Sequence, residues 1–132
     1  MRSITRLTVA IIATLIAGGA AACFSEHVAT DATGIDIRAL CSGSSTVPAN
    51  VVIIRNFSFN PSTVTIRSGE QVTWVNCEDT PGLGHTSTSD GGVWRSGLIV
   101  PLVSYSRTFN QGGNFPYHCE PHPSMKATVV VQ

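Results

Sequence analysis

Residues 51–76 read VVIIRNFSFNPSTVTIRSGEQVTWVN, and their pattern decides the fold. Val51-Val52-Ile53-Ile54 is a β-branched run, and Phe57 and Phe59 alternate with polar neighbours, as do Val64 and Ile66. Ser68-Gly69 makes a turn before Gln71-Val72-Thr73-Trp74-Val75-Asn76, which again reads as a strand. The same texture continues through residues 105–109, a Gly112-Gly113 turn, 115–117 and 126–131. Turn residues recur at intervals of about eight to twelve positions, and no stretch carries a 3.6-residue period, so the chain is expected to be all-β, a sandwich or barrel. Residues 50–132 bury a modest core, and domains of that size commonly need a metal or a disulfide as well.

The whole chain has 132 residues, enough for one domain. Hydrophobic residues make up 42% and charged residues only 12%, which argues against disorder. Eight basic and eight acidic side chains cancel, so there is no basic field to attract nucleic acid.

The N-terminus has the order of an export signal. Arg2 and Arg6 are followed by an apolar stretch, LTVAIIATLIA at 7–17, and by the small residues Gly18-Gly19-Ala20-Ala21-Ala22 before Cys23. The 16 residues between Arg6 and Cys23 would reach about 24 Å as a helix, short for a bilayer core of roughly 30 Å. Residues 1–22 are therefore read as a signal peptide; without Arg2 and Arg6 the remaining chain has a net charge of about −2. Cys23 after the small run resembles the lipobox of bacterial lipoproteins, in which that cysteine is lipidated, although Ala20 stands where that family usually has Leu. Cleavage after Ala20-Ala21-Ala22 by an ordinary signal peptidase fits the same residues. Residues 23–49 lack sustained periodicity, are rich in Ser, Thr, Ala and Gly, and are read as a flexible linker or loosely attached extension.

The chemistry gathers near the C-terminus, in Cys119-Glu120-Pro121-His122-Pro123-Ser124-Met125. A thiolate, an imidazole and a thioether at i, i+3 and i+6 can fold around one point in a loop punctuated by two prolines. A second imidazole, His85, lies in a Gly/Pro-rich loop after the Trp74 strand. Two His, one Cys and a weak axial Met form the donor set of blue copper. Sulfur favours Cu(I) and imidazole tolerates both oxidation states, so little has to move when an electron arrives or leaves. Structural zinc prefers a fourth Cys, His or carboxylate, and covalent haem needs C-x-x-C-H where this chain has C-x-x-H. Strand alternation turns His118 away from the Cys119 side, and His27 falls in the linker.

At these residues the chain resembles the cupredoxins, in particular the amicyanin and plastocyanin group. The likeness spans about residues 50–132: Phe57-Ser58-Phe59-Asn60-Pro61, Gly69-Glu70-Gln71-Val72-Thr73-Trp74-Val75-Asn76, His85-Thr86, and Phe115-Pro116-Tyr117-His118-Cys119 through Met125-Lys126. The two residues between His122 and Met125 match the short amicyanin loop. The resemblance implies a Greek-key β-sandwich holding one copper ion through His85, Cys119, His122 and axial Met125, and cycling between Cu(I) and Cu(II). It implies an electron shuttle rather than an enzyme, since the ligands fill the site and leave no opening for substrate. Thr86 is expected to supply a backbone N–H to the Cys119 sulfur. The departures from the family pattern are the long N-terminal segment, Cys41, Cys77, and Ala127 where Gly is common.

With Cys119 assigned to copper and Cys23 to lipid, Cys41 and Cys77 are left over, and an oxidising compartment would pair them. Such a bridge closes a loop of about 37 residues, and nine steps from Cys41 to Asn50 span up to about 30 Å, which makes it feasible. The expected protein is an exported monomer on the periplasmic or extracytoplasmic side of a membrane, tethered through Cys23 if that residue is lipidated. Its redox donor and acceptor would dock briefly near the His122 ring edge, beside Pro81 and Leu83. The alternative functional reading is a periplasmic or extracellular protein that binds or delivers copper without redox turnover.

Overall fold

The computed structural model describes residues 33–132; the expected signal peptide at 1–22 and Cys23 lie outside the described residues. Two four-stranded sheets pack face to face. The first contains β1 (Val51–Arg55), β2 (Ser58–Asn60), β4 (Gln71–Asn76) and β6 (Ser104–Thr108), ordered β2-β1-β4-β6. The second contains β3 (Thr63–Ile66), β5 (Thr88–Ser89), β7 (Gly113–His118) and β8 (Lys126–Val131), ordered β3-β8-β7-β5. Crossovers between the sheets produce two parallel pairs, β1 with β4 and β3 with β8. The all-β sandwich read from the sequence is the fold observed.

Alternation along the strands explains which side chains fill the core. Val52, Ile54, Val72 and Trp74 of the first sheet meet Val64, Ile66, Tyr117, Val129 and Val131 of the second, all buried. Trp74 lies 5.5 Å from Tyr117, ring centre to ring centre, and 6.0 Å from Trp94.

β1 breaks the apolar-polar alternation because its outer face is also covered. A six-residue helix, α1 (Ile37–Ser42), lies on the sheet and buries Ile37 and Leu40 against Val51, Val75 and Cys77. Asp36 caps it by accepting from the Ala39 N–H, and Gly43 ends it in the left-handed conformation at φ 76°. Cys41 and Cys77 are joined by a disulfide, and Arg55 donates to the carbonyls of both, at 2.6 and 2.8 Å. Residues 36–43 are therefore a docked layer where the sequence suggested a loose linker. Six residues are too few to display a helical period, and the burial of Ile37 and Leu40 depends on β1 and β4, distant in sequence.

The parallel pairing of β1 with β4 matches Ile54 to Asn76, so both strands finish at the same end of the sandwich. The turn after β1 and the loop after β4 both help to build the site.

Candidate metal centre

Two loops and a turn converge at this end. β7 and β8 form a hairpin whose last pair is His118 with Lys126, leaving residues 119–125 as its loop. The loop is closed by Cys119 N–H donating to the Met125 carbonyl at 3.1 Å. Inside it, His122 N–H donates to the Cys119 carbonyl (3.2 Å) and Met125 N–H to the His122 carbonyl (2.9 Å). Pro121 and Pro123 have no N–H to donate and fix φ on both sides of His122. The outer side of the loop carries a surface ion pair, Glu120 with Arg95 at 2.6 Å.

His85 comes from the loop after β4. It bridges to Ile99 by two backbone hydrogen bonds, 3.1 and 2.7 Å. Asn76, fully buried, donates from Nδ2 to the Leu83 and Ile99 carbonyls at 2.9 and 2.8 Å, tying both flanks of His85 to the end of β4. Gly84 leaves the space that the Leu98 side chain occupies; a Cβ there would meet Leu98 Cγ at 2.5 Å.

His85, Cys119 and His122 come together. Cys119 Sγ is 3.5 Å from His85 Nδ1 and 3.6 Å from His122 Nδ1, and the two Nδ1 atoms are 3.1 Å apart. All three donor atoms lie within 4.8 Å of one another, with His85 and Cys119 buried and His122 half-buried. Thr86 N–H points at the Cys119 sulfur from 3.3 Å, and its Oγ1 accepts from Glu120 N–H at 2.9 Å, so one residue links both loops. Met125 closes the loop and is buried at 3% exposure. His118 lies apart, its Nδ1 paired with Asp90 at the surface.

The opposite edge of His85 is held by a carboxylate. Its Nε2 lies 3.1 Å from Oε1 of Glu78, a buried residue that the same oxygen ties to Phe57 N–H at 2.9 Å. Burial raises the Glu78 pKa, but the N–H groups of Phe57 and Asn56 and the His85 ring outweigh it and hold the carboxyl below its ordinary 4.5. Burial holds His85 below its ordinary 6.5, against the pull of Glu78. A neutral His85 that donates Nε2–H to Glu78 turns the Nδ1 lone pair towards Cys119.

Sequence reasoning missed Glu78 and the part played by Phe57, which lies in the β1–β2 turn with its ring over both imidazoles. It also understated the apolar surface. Pro81 is exposed and Leu83 half-buried, but Phe57, Leu98, Val100 and Leu102 are exposed as well, Leu98 at 60%.

A cysteine sulfur and two imidazole nitrogens converging in a mostly buried pocket, with an N–H already aimed at the sulfur, fit one transition-metal ion with soft character. Among the described residues no carboxylate oxygen joins that cluster, which disfavours the hard, oxygen-seeking cations.

No protein-family model matches the chain. Among individual proteins, amicyanin of Paracoccus versutus is 34% identical over 93 residues, covering 65% of this chain and 68% of the relative. Plastocyanin of Scenedesmus fuscus is 40% identical over 87 residues, covering 56% of this chain and 86% of the relative. The crystal structure of the Paracoccus versutus amicyanin superposes with a TM-score of 0.55 at 30% identity, over 69% of this chain and 88% of that one. A reduced amicyanin variant gives a TM-score of 0.57 at 28% identity, over 67% and 88%.

Proposed function

Because this chain belongs to the cupredoxins, the family of amicyanin and plastocyanin, we propose that it is a mononuclear blue copper protein that carries single electrons between redox proteins. The observation that carries the reading is the convergence of His85 Nδ1, Cys119 Sγ and His122 Nδ1 on one point. Copper bound there supplies the exchange of one electron between Cu(I) and Cu(II).

Each side chain has a defined task. Cys119 provides the thiolate, and the N–H of Thr86 stabilises its charge. His85 is oriented from behind by Glu78, and the backbone of His122 is held by its two flanking prolines and its own loop. Met125, buried at the foot of the loop, would add a thioether donor. Packing against both sheets would keep these groups in one arrangement with either oxidation state of copper, so that little reorganises on electron transfer. The exposed Phe57 ring packed against His122 suits brief docking of a donor and an acceptor, since redox encounters use small interfaces.

Export is part of the proposal and rests on residues 1–23: a signal peptide is removed, and Cys23 is the lipid attachment point on the extracytoplasmic side. Among the described residues no helix is long and apolar enough to cross a membrane. Mass spectrometry of the mature N-terminus tests this half separately; an unmodified first residue at or beyond Cys23 removes the tether and leaves the copper chemistry untouched.

Carrier and copper-delivery roles separate in one experiment. A carrier is reduced and reoxidised repeatedly with its copper retained against a chelator. Loss of copper to the chelator upon reduction would favour delivery instead.

A further inference from the structure

β1 and β2 are joined by a two-residue turn, Asn56-Phe57, between the paired residues Arg55 and Ser58. Both turn residues are left-handed, with φ of 52° and 54°. Tight hairpins of this type favour Asn followed by Gly, because the second place crowds any side chain with a Cβ. Here that place holds phenylalanine, and half of its surface, 51%, is exposed. Core burial therefore does not account for a bulky residue in this conformation.

What the ring touches is the site. Its centre lies 5.6 Å from that of His85 and 4.9 Å from that of His122, edge-on to both at 89° and 86°. The Phe57 N–H meanwhile holds Glu78 at 2.9 Å, through the oxygen that faces His85 Nε2. The two imidazoles are thus secured differently. His85 Nε2 has a carboxylate partner, whereas among the described residues His122 Nε2 has no hydrogen-bond partner from the protein, and the His122 ring packs edge-to-face with Phe57. A strained residue placed against a half-buried ring of the site points to function.

Resting on the electron-carrier reading above, we propose that Phe57 is a positioning residue: its ring braces the His122 imidazole from outside, keeps it in one orientation and excludes water from that edge. Glycine at this position would relax the turn but would leave His122 free to reorient, and reorientation during electron transfer would slow the exchange.

The test uses the full mature chain with Phe57→Gly and Phe57→Tyr. In the metal-free protein, NMR should show cross-relaxation between the Phe57 and His122 rings and a single His122 rotamer. Phe57→Gly should average the His122 rotamers while leaving His85 fixed, and Phe57→Tyr should restore the single rotamer. The denaturation midpoint of Phe57→Gly should be no lower than that of the parent, because the strained turn is relieved. With copper, Phe57→Gly should remain blue, and its self-exchange, in which a reduced molecule passes one electron to an oxidised copy, should slow by roughly tenfold or more. The tyrosine variant should stay near the parent rate. An unchanged His122 rotamer and unchanged self-exchange in Phe57→Gly would overturn the proposal. A parent protein that gives no blue copper complex would defeat the electron-carrier reading instead, and the metal-free His122 measurement would still decide the role of Phe57.

Discussion

The Glu78 carboxylate stands 3.1 Å from Nε2 of His85, on the side of the ring opposite the Nδ1 that faces the Cys119 sulfur at 3.5 Å. A buried acid placed behind a ligand imidazole does two things. It fixes the tautomer with Nδ1 free, and it puts a negative charge close to the metal position.

Glu78→Gln keeps a hydrogen-bond acceptor but removes the charge. Since that charge favours Cu(II) over Cu(I), the reduction potential should rise. A unit charge several ångströms away, at an effective dielectric near 20, contributes on the order of 1–2 kcal/mol, or tens of millivolts. Voltammetry of the two proteins measures it; equal potentials would show that Glu78 orients the ring without acting on the metal electrostatically.

Met125→Gln should still bind copper and stay coloured, with a lower potential, because an oxygen donor in the axial place favours Cu(II). The buried Met125 carries its backbone bonds to Cys119 and His122 whatever its side chain. An unchanged potential would assign Met125 to packing alone.

The Cys41–Cys77 bridge closes a span of 36 residues and clamps α1 to the strand that leads into Glu78. Replacing both cysteines by serine should lower the stability of the metal-free protein by about 2–4 kcal/mol in denaturant melts. Amide exchange in α1 should lose its protection first, since Ile37 and Leu40 offer only a small contact area. Equal midpoints for the parent and the double variant would mean that packing alone holds the helix down.

How much of this was legible depends on where each signal lies in the chain. Cys119, His122 and Met125 sit within one proline-marked heptapeptide, so the local spacing alone draws attention to them. His85 is 34 residues away but follows a Trp-bearing strand, and its donor atom ends up beside theirs. The sandwich was visible in strand alternation and turn residues. The contribution of Phe57 was not: the sequence suggests that it alternates with Phe59 along a strand, whereas it occupies a left-handed turn position that local preference assigns to glycine. Glu78 was hidden because an acidic residue beside Asp79 looks solvated; only the fold turns it inward against His85. The helix was missed because its apolar residues have meaning only against Val51 and Val75.

The central claim is that Cys119, with His85 and His122, holds one copper ion through a metal–thiolate bond. Titrating the metal-free protein with Cu(II) while recording the visible spectrum tests it most directly. The expected result is an intense thiolate-to-copper charge-transfer band that saturates at one copper per chain and is absent in Cys119→Ser. A colourless copper complex, or a band that persists without Cys119, would contradict it.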